Sequence, residues 1–417
     1  MTTPWLDIIG IGEDGLSGLS AQGVALVKDA EILFGGDRHH HLANELEGDL
    51  KAERIAWPSP FDAMIDKILS YKGKKVVILV SGDPLWYSVG ARIARAIPPE
   101  EITYHPQISA FQLAACRMGW SLPDLETLTI HGRPAEQIIP WFRDKARLLV
   151  LTKDHTSPHT VANLLCQHGF AQSRLSVLAA MGGEYEQRFD GIAKEWAKDE
   201  ELDFPDLHTL AVELIAGPDA KNYPRTGLPD SAFSHDGNIT KQTVRALTLA
   251  KLVPGRGQLL WDIGIGCGSI AIEWMRGAFE ARAIGIEPKE NRRALAAQNA
   301  LSLGTPALEL VEGRAPQALA GLARPDAVFI GGGLSRDTVR TCRDALKPGG
   351  RMVINAVTLE SEAILLRMFG EMGGELQRIQ SQTAGGLGEF HGWNAAMPVT
   401  QWLYIKPNKP GPGADIT

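Results

Sequence analysis

The residues best placed to do chemistry lie together in the stretch Leu259 to Ile272, LLWDIGIGCGSIAI. Leu259, Leu260 and Trp261 have the apolar character of a buried strand, Asp262 closes it, and glycines follow at 264, 266 and 268. Ser269 then stands as the cap of an apolar run at helical spacing, Ile270 to Met275. A strand that breaks into a glycine loop and opens a helix leaves backbone N–H groups free. Without Cβ atoms in the way, a ligand can lie directly on that main chain. About 20 residues further on, a second strand, Ala283 to Ile286, ends in Glu287, a carboxylate placed to accept both hydroxyls of an adenosine ribose. The spacing is G-x-G-x-G with Asp262 at the mouth of the loop. An acid there would repel a diphosphate and attract the ammonium of a methionine moiety. Asp262, Gly264, Gly266, Gly268 and Glu287 therefore read as a nucleoside-cofactor site.

This pattern resembles the class I S-adenosylmethionine methyltransferases. Further strands are expected at Leu308–Val311, Asp326–Ile330 and Arg351–Asn355, and the resemblance implies an antiparallel pair near 376–380 and 399–405. It also implies that Gly313 and Ala315 hold the adenine and that Ile330 borders the cofactor. The Thr240-Lys241 turn, with Thr240 capping the helix Gln242–Leu252, would face it too. The fourth strand ends in Ile330-Gly331-Gly332-Gly333. Enzymes that methylate base amines place Asn/Asp-Pro-Pro-aromatic there as acceptors. Three glycines offer no acceptor and ample room, which suits a bulky, flat substrate attacked at carbon. The segment AGGLGEFHGWNAAMP, 384 to 398, reads as a mobile flap.

The first half opens with LDIIGIGEDGLSGLS, where Gly10, Gly12 and Gly15 satisfy G-x-G-x-x-G. Glu13 and Asp14 stand where a helix N-terminus would meet a pyrophosphate, each opposing it by about 1 kcal/mol. Ser20 is the better cap, for Ala21 to Lys28, so the loop is a strand-to-helix turn unsuited to diphosphate. An α/β series follows, with the turn SGDPLW at 81 to 86 and a helix capped by Ser109 within 105 to 120. Past Leu122 the pattern changes to strands near 128–130, 148–151, 175–179 and 209–215, which divides this half into two lobes near Ser121. The first glycine turn, Gly82-Asp83-Pro84 and Ser109-Ala110 come in the order that resembles the tetrapyrrole (corrin and sirohaem type) methylases, class III S-adenosylmethionine methyltransferases. That resemblance implies a cofactor cleft between the lobes, touched by Gly10, Gly12, Gly82, Asp83, Ser109, Ala110 and the region of Met181. Glu13 replaces a customary proline, and Pro106-Gln107 replaces Pro-Gly. His39, His40 and His41 are adjacent, so on a helix they diverge, and no metal is expected.

These elements must be carried by more than one core, since 417 residues exceed a single domain's usual size. Gly217 to Gly237, rich in proline and glycine and without periodicity, reads as a linker. It separates a domain 1–216, with lobes of about 1–120 and 121–216, from a domain 238–417. Net charge is −7 and no lysine/arginine block occurs, which argues against a nucleic-acid partner. No basic leader and no apolar run of membrane-spanning length, about 18 residues, is present. Four scattered cysteines suit a reducing, cytoplasmic setting.

The order of the two halves resembles the decarboxylating precorrin C5,15-methyltransferase family over nearly the whole chain. The expected fold class is α/β, a two-lobed tetrapyrrole methylase fold followed by a class I (Rossmann-like) methyltransferase fold. The resemblance implies methylation of a tetrapyrrole at C5 by the first half, and methylation at C15 with loss of the C12 acetate carboxyl by the second, in an order the sequence leaves open. S-adenosylmethionine would bind at two sites, and self-association into a homo-oligomer is left open. Lys241, Arg314 and His391 are the candidate catalytic side chains, with Arg336 and Trp393 as further clamps on substrate carboxylates. Two alternatives stand beside this reading: a tRNA methyltransferase, and a chain whose first half is catalytically degenerate.

Overall fold

Parallel strands covered on both faces require unbroken apolar runs, and the chain supplies two sets of them. The computed structural model describes residues 4–46, 50–199 and 201–408. In the first set, β1 (Leu6–Ile11), β2 (Ile32–Gly35), β3 (Glu53–Ala56), β4 (Val76–Ser81) and β5 (Ile102–His105) form a wholly parallel sheet of order β3-β2-β4-β1-β5. A second sheet contains β6 (Glu126–Thr129), β7 (Arg147–Leu151), β8 (Arg174–Ala179), β9 (Gln187–Ile192) and β10 (His208–Glu213), in the order β6-β7-β10-β8-β9. Only β6 and β7 run parallel in it.

The helix Ala110–Met118 follows β5 in sequence, yet its buried face (Phe111, Ala114, Ala115) lies among Leu149, Leu178 and Ala211 of the second sheet and Met181 of the loop after β8. The passage between lobes therefore falls in the 106–109 loop rather than near Ser121. The apolar face of a helix decides which sheet it joins, and this one matches the second.

The remaining strands build a seven-stranded sheet. β11 (Leu259–Ile263), β12 (Arg282–Glu287), β13 (Glu309–Glu312), β14 (Ala327–Ile330) and β15 (Arg351–Ala356) run parallel in the order β13-β12-β11-β14-β15. The sheet is completed, antiparallel, by β19 (Val399–Ile405) and then β16 (Glu375–Ile379). The segment expected as a flap lies largely in a β-hairpin, β17 (Gln382–Leu387) with β18 (Phe390–Ala395), a two-stranded sheet of its own. The fold is α/β throughout, a two-lobed first half and a Rossmann-like second half. No helix among the described residues is long and apolar enough to cross a membrane.

The chain divides into two compact units at Lys221/Asn222, with Glu136–Phe142 grouped with the second. The stretch 217–237 is held at both ends: Gly217 N–H donates to Gly169 and Lys221 N–H to His168, whereas Leu228 and Phe233 are buried against Ile272, Ala300 and Leu303. What fixes its second part is a pair of fully buried opposite charges, Arg245 and Glu273. Glu273 accepts the N–H groups of Gly227 and Leu228, while Arg245 donates to the carbonyls of Leu228 and Thr240 and to Asp230. Apart from the bond between the two, the pair thus closes on the first stretch of the second unit, residues 227–240. Removing one partner of such a pair strands the other charge in the core, at a cost of about 3–5 kcal/mol. Glu273→Ala should therefore lower the free energy of the second unit's unfolding, read from denaturant titration, by an amount of that size, and an unchanged value would contradict the role given to the pair.

Candidate functional site

In the second unit the carboxyl ends of β11, β12 and β14 converge. Gly264, Gly266 and Gly268 all adopt positive φ (71°, 57° and 87°), the region only glycine enters freely. At Gly264 the requirement is doubled: a Cβ there would lie 2.7 Å from the backbone of Gly332. The N–H groups of Gly331 and Gly332 donate to the Ile263 carbonyl, and those of Gly264 and Ile265 to Ile286, so three strand ends are tied into one floor. Gly266 differs. An added Cβ would meet nothing nearer than the carbonyl of Asn238 at 3.9 Å, so the face of the loop above Gly266 is clear.

Asp262 lies inside β11 beneath the loop, not at its mouth, and is 1 % exposed. Its Oδ2 accepts the N–H of Ala271 at 3.1 Å, inside the first turn of the helix Ser269–Gly277. The N-cap of that helix is the left-handed Gly268, and Ser269 is its first residue rather than its cap. Oδ1 of Asp262 is buried without a partner. Desolvation pushes this carboxyl up to about 7, opposed by the Ala271 hydrogen bond and reinforced by the charge of Glu287. Glu287, 4 % exposed, ends β12; its Oε1 accepts the Lys289 N–H at 3.1 Å and its Oε2 the Gly266 N–H at 3.4 Å. Cys267 is buried in the same loop, where desolvation raises its thiol pKa and keeps it protonated.

The other second-unit candidates are spread more widely. Gly313 and Ala315 follow β13, next to β12, and Ile330 is fully buried at the end of β14. Thr240 does not cap the helix Gln242–Leu252. Lys241 is its N-cap residue, and Asp230 supplies the acceptor for the Gln242 N–H at 2.9 Å. Lys241 lies 3.7 Å from the same Asp230, Arg336 lies 3.6 Å from Glu371, and Arg314 is exposed. His391 and Trp393 stand on the separate hairpin, both exposed. The three glycines after Ile330 leave less space than expected, because Gly332 forms the wall that Gly264 leans on. Only Gly333 is open.

The first unit repeats the device. A Cβ on Gly10 would fall 1.8 Å from the Gly82 carbonyl oxygen and 2.8 Å from Cβ of Gln107, so the loops after β1, β4 and β5 close on one another. Gly82 has φ 61° and donates its N–H to Ile11, and its own Cβ would press on Cα of Ser109 at 3.1 Å. Asp83 closes the turn by accepting the Leu85 N–H at 2.8 Å. Ser109 caps the helix that begins at Ala110, in a reciprocal box with Gln112. Met181 is buried against that helix, and a Cβ on Gly183 would meet Glu13 at 2.8 Å, which brings the loop after β8 onto the loop after β1. Gly12 turns back to Gly15, with the Asp14 carboxylate filling the concavity where a phosphate would sit.

Sequence reasoning missed Asp230, Asn238 and the Arg292–Asp236 pair (2.8 Å) that holds the 235–240 segment near Gly266. It also passed over Arg38 and Ser81 in the first unit, and weighed His39 there only as a metal ligand. Each is joined by contacts between distant stretches, and only Ser81, directly before Gly82-Asp83, had a local signal.

Two family models match the chain, one described as "Tetrapyrrole (Corrin/Porphyrin) Methylases" over residues 6–197 and one as "Precorrin methyltransferase domain" over residues 231–406. The chain is 45% identical, over 97% of both sequences, to a precorrin-6Y C(5,15)-methyltransferase [decarboxylating] of Sinorhizobium sp. Two shorter relatives match part of it. A probable cobalt-precorrin-6B C(15)-methyltransferase (decarboxylating) of Saccharolobus solfataricus is 35% identical over 36% of this chain and 80% of its own length. A cobalt-precorrin-7 C(5)-methyltransferase of Salmonella typhimurium is 26% identical over 39% of this chain and 79% of its own.

The state of Asp262 gives a pH test. Its carboxyl is raised from its ordinary 3.8 to about 7. The stability it contributes is therefore complete below about pH 4 and lost as pH rises through about 7. Asp262→Asn keeps an acceptor for Ala271 without that loss. The unfolding midpoint of the variant minus that of the parent chain should grow between about pH 4 and 7 and level off above. A difference that is flat with pH would mean that Asp262 is not held in this state.

Proposed function

Since the chain belongs to the precorrin-6Y C5,15-methyltransferase (decarboxylating) family, we propose that its two halves, 1–216 and 238–417, are two methylating centres joined through 217–237. The protein is a decarboxylating methyltransferase of cobalamin biosynthesis, dependent on S-adenosylmethionine. On this reading the first half methylates C5 of precorrin-6Y, and the second methylates C15 and releases the C12 acetate carboxyl as carbon dioxide, giving precorrin-8X. The two activities named for the full-length relative are each borne by one of the shorter relatives, which supports a division between halves. The observation that carries the reading is the recurrence of one backbone closure, Gly10 on Gly82 and Gly264 on Gly332, at the carboxyl edge of a parallel sheet in each unit.

The residues present fit the cofactor. In the second unit the clear face at Gly266, the carboxylate of Glu287 and the unpartnered Oδ1 of Asp262 suit a nucleoside bearing an ammonium. Gly264, Gly268, Gly313, Ala315, Ile330 and Thr240 would complete that site. In the first unit Gly10, Gly12, Gly82, Asp83, Ser109, Ala110 and Met181 would hold the second molecule. When bound, S-adenosylmethionine supplies an electrophilic methyl group. The chain's own task is positioning: the reduced macrocycle has enamine-like meso carbons that are already nucleophilic, so an approach within about 3–3.5 Å matters more than acid–base assistance. For the decarboxylation, the chain must strip water from the departing carboxylate while cations hold the others, and the conjugated ring accepts the electrons left behind. Arg314, exposed beside Gly313, is one candidate cation and the exposed His391 a further polar contact; Lys241 is drawn toward Asp230 and Arg336 toward Glu371.

Incubated with S-adenosylmethionine and precorrin-6Y, the protein should give a product that has gained two methyl groups and lost one carbon dioxide by mass. Gly264→Ala, which drives a Cβ into Gly332, should leave a product with one added methyl group and its carboxyl intact. Retention of both methylations and decarboxylation in that variant would contradict the assignment.

A further inference from the structure

One polar cluster in the first unit gathers side chains from three strand ends. Ser81 ends β4, Arg38 and His39 follow β2, and Glu13 follows β1, so all four stand at the carboxyl ends of three adjacent strands, beside Gly82 and Asp83. Arg38 donates from Nη1 to Ser81 Oγ at 2.9 Å and turns its other nitrogens to Glu13. His39 Nε2 lies 3.0 Å from the same Ser81 oxygen.

The hydrogens in this cluster can be assigned. The Gly36 N–H donates to Nδ1 of His39 at 3.2 Å, so Nδ1 is the acceptor and the ring proton sits on Nε2. Burial and the neighbouring Arg38 charge lower the His39 pKa to about 4, which keeps the ring neutral. Ser81 Oγ therefore receives two N–H donors, from Arg38 and from His39, and both its lone pairs are taken. Its own hydrogen is left over, and an O–H that receives two donors is polarised to give its proton more strongly. Glu13 cancels the charge of Arg38, so the cluster selects a partner by hydrogen bonding and not by net charge.

We propose that the Ser81 hydroxyl is a carboxylate-binding donor of the first unit, with Arg38 and His39 as the residues that position it. The inference rests on the reading of that unit as a methylating centre. Two carboxylates come to such a centre, an acid side chain of the macrocycle and the amino-acid end of the cofactor, and one experiment separates them.

The full chain carrying Gly264→Ala, so that the first unit alone turns over, is compared with and without Ser81→Ala. Losing a hydrogen bond to a charged group should raise KM for precorrin-6Y about tenfold or more, with kcat within about threefold and S-adenosylhomocysteine affinity unchanged. Ser81→Thr should restore KM, which a merely structural role would not require. A rise of similar size in the S-adenosylhomocysteine Kd, with KM for precorrin-6Y unchanged, supports the donor role and assigns the carboxylate to the cofactor. If neither constant moves, the inference is overturned while the reading of the first unit stands. A Gly264→Ala chain that transfers no methyl group at all removes both.

Discussion

The structure depends on backbone lying against backbone at two glycines. At Gly10 and at Gly264 the main chain comes so close to a neighbouring strand-end loop that no Cβ can be fitted, and at Gly264 a positive φ excludes other residues as well. Loops in such contact cannot drift apart without losing the hydrogen bonds that tie them, Gly82 to Ile11 in one unit and Gly331 and Gly332 to Ile263 in the other. The result in each unit is a floor made of main chain, which can present N–H groups to a ligand without side chains between. A ligand with a flat ring and a short polar tail suits such a floor better than a bulky polyanion does.

What the floor costs is visible around Asp262. A carboxylate sunk beneath the loop, with one oxygen on Ala271 and the other alone, opposes folding near neutral pH. An apolar residue would fit a strand reading LLWDI with less penalty, so the acid is better explained by the site than by the core. The pair Arg245–Glu273 is the contrasting case: both charges are buried, both are fully engaged, and their work is to anchor residues 227–241. On the proposed reading the first of these buried acids serves a cofactor, whereas Glu273 serves the chain that leads to it.

The parallel sheets, the order of motifs and the glycine loops were legible because they rest on local pattern: apolar runs, G-x-G-x-G spacing, an acid at the end of the second strand. The misread features share another physical origin. Thr240 has the right type for a cap, but the acceptor came from Asp230, ten residues earlier and brought in by Arg245. Ser269 likewise has a capping side chain, yet the left-handed Gly268 sets the helix start. The helix Ala110–Met118 joined the later sheet because of which apolar face it carries. Asp262 was placed at the mouth because its type, not its depth, was readable. Residues 382–395, rich in glycine, pair as a hairpin with Gly388 and Glu389 at the turn, a form that their spacing did not announce. Tertiary contact decided each of these, and one-dimensional spacing does not encode it.

The central claim is that each unit holds its own molecule of S-adenosylmethionine. Titration calorimetry of the full chain with S-adenosylhomocysteine reads the number of sites directly. Two molecules bound per chain is the result expected; a single site in the unmodified protein would contradict it.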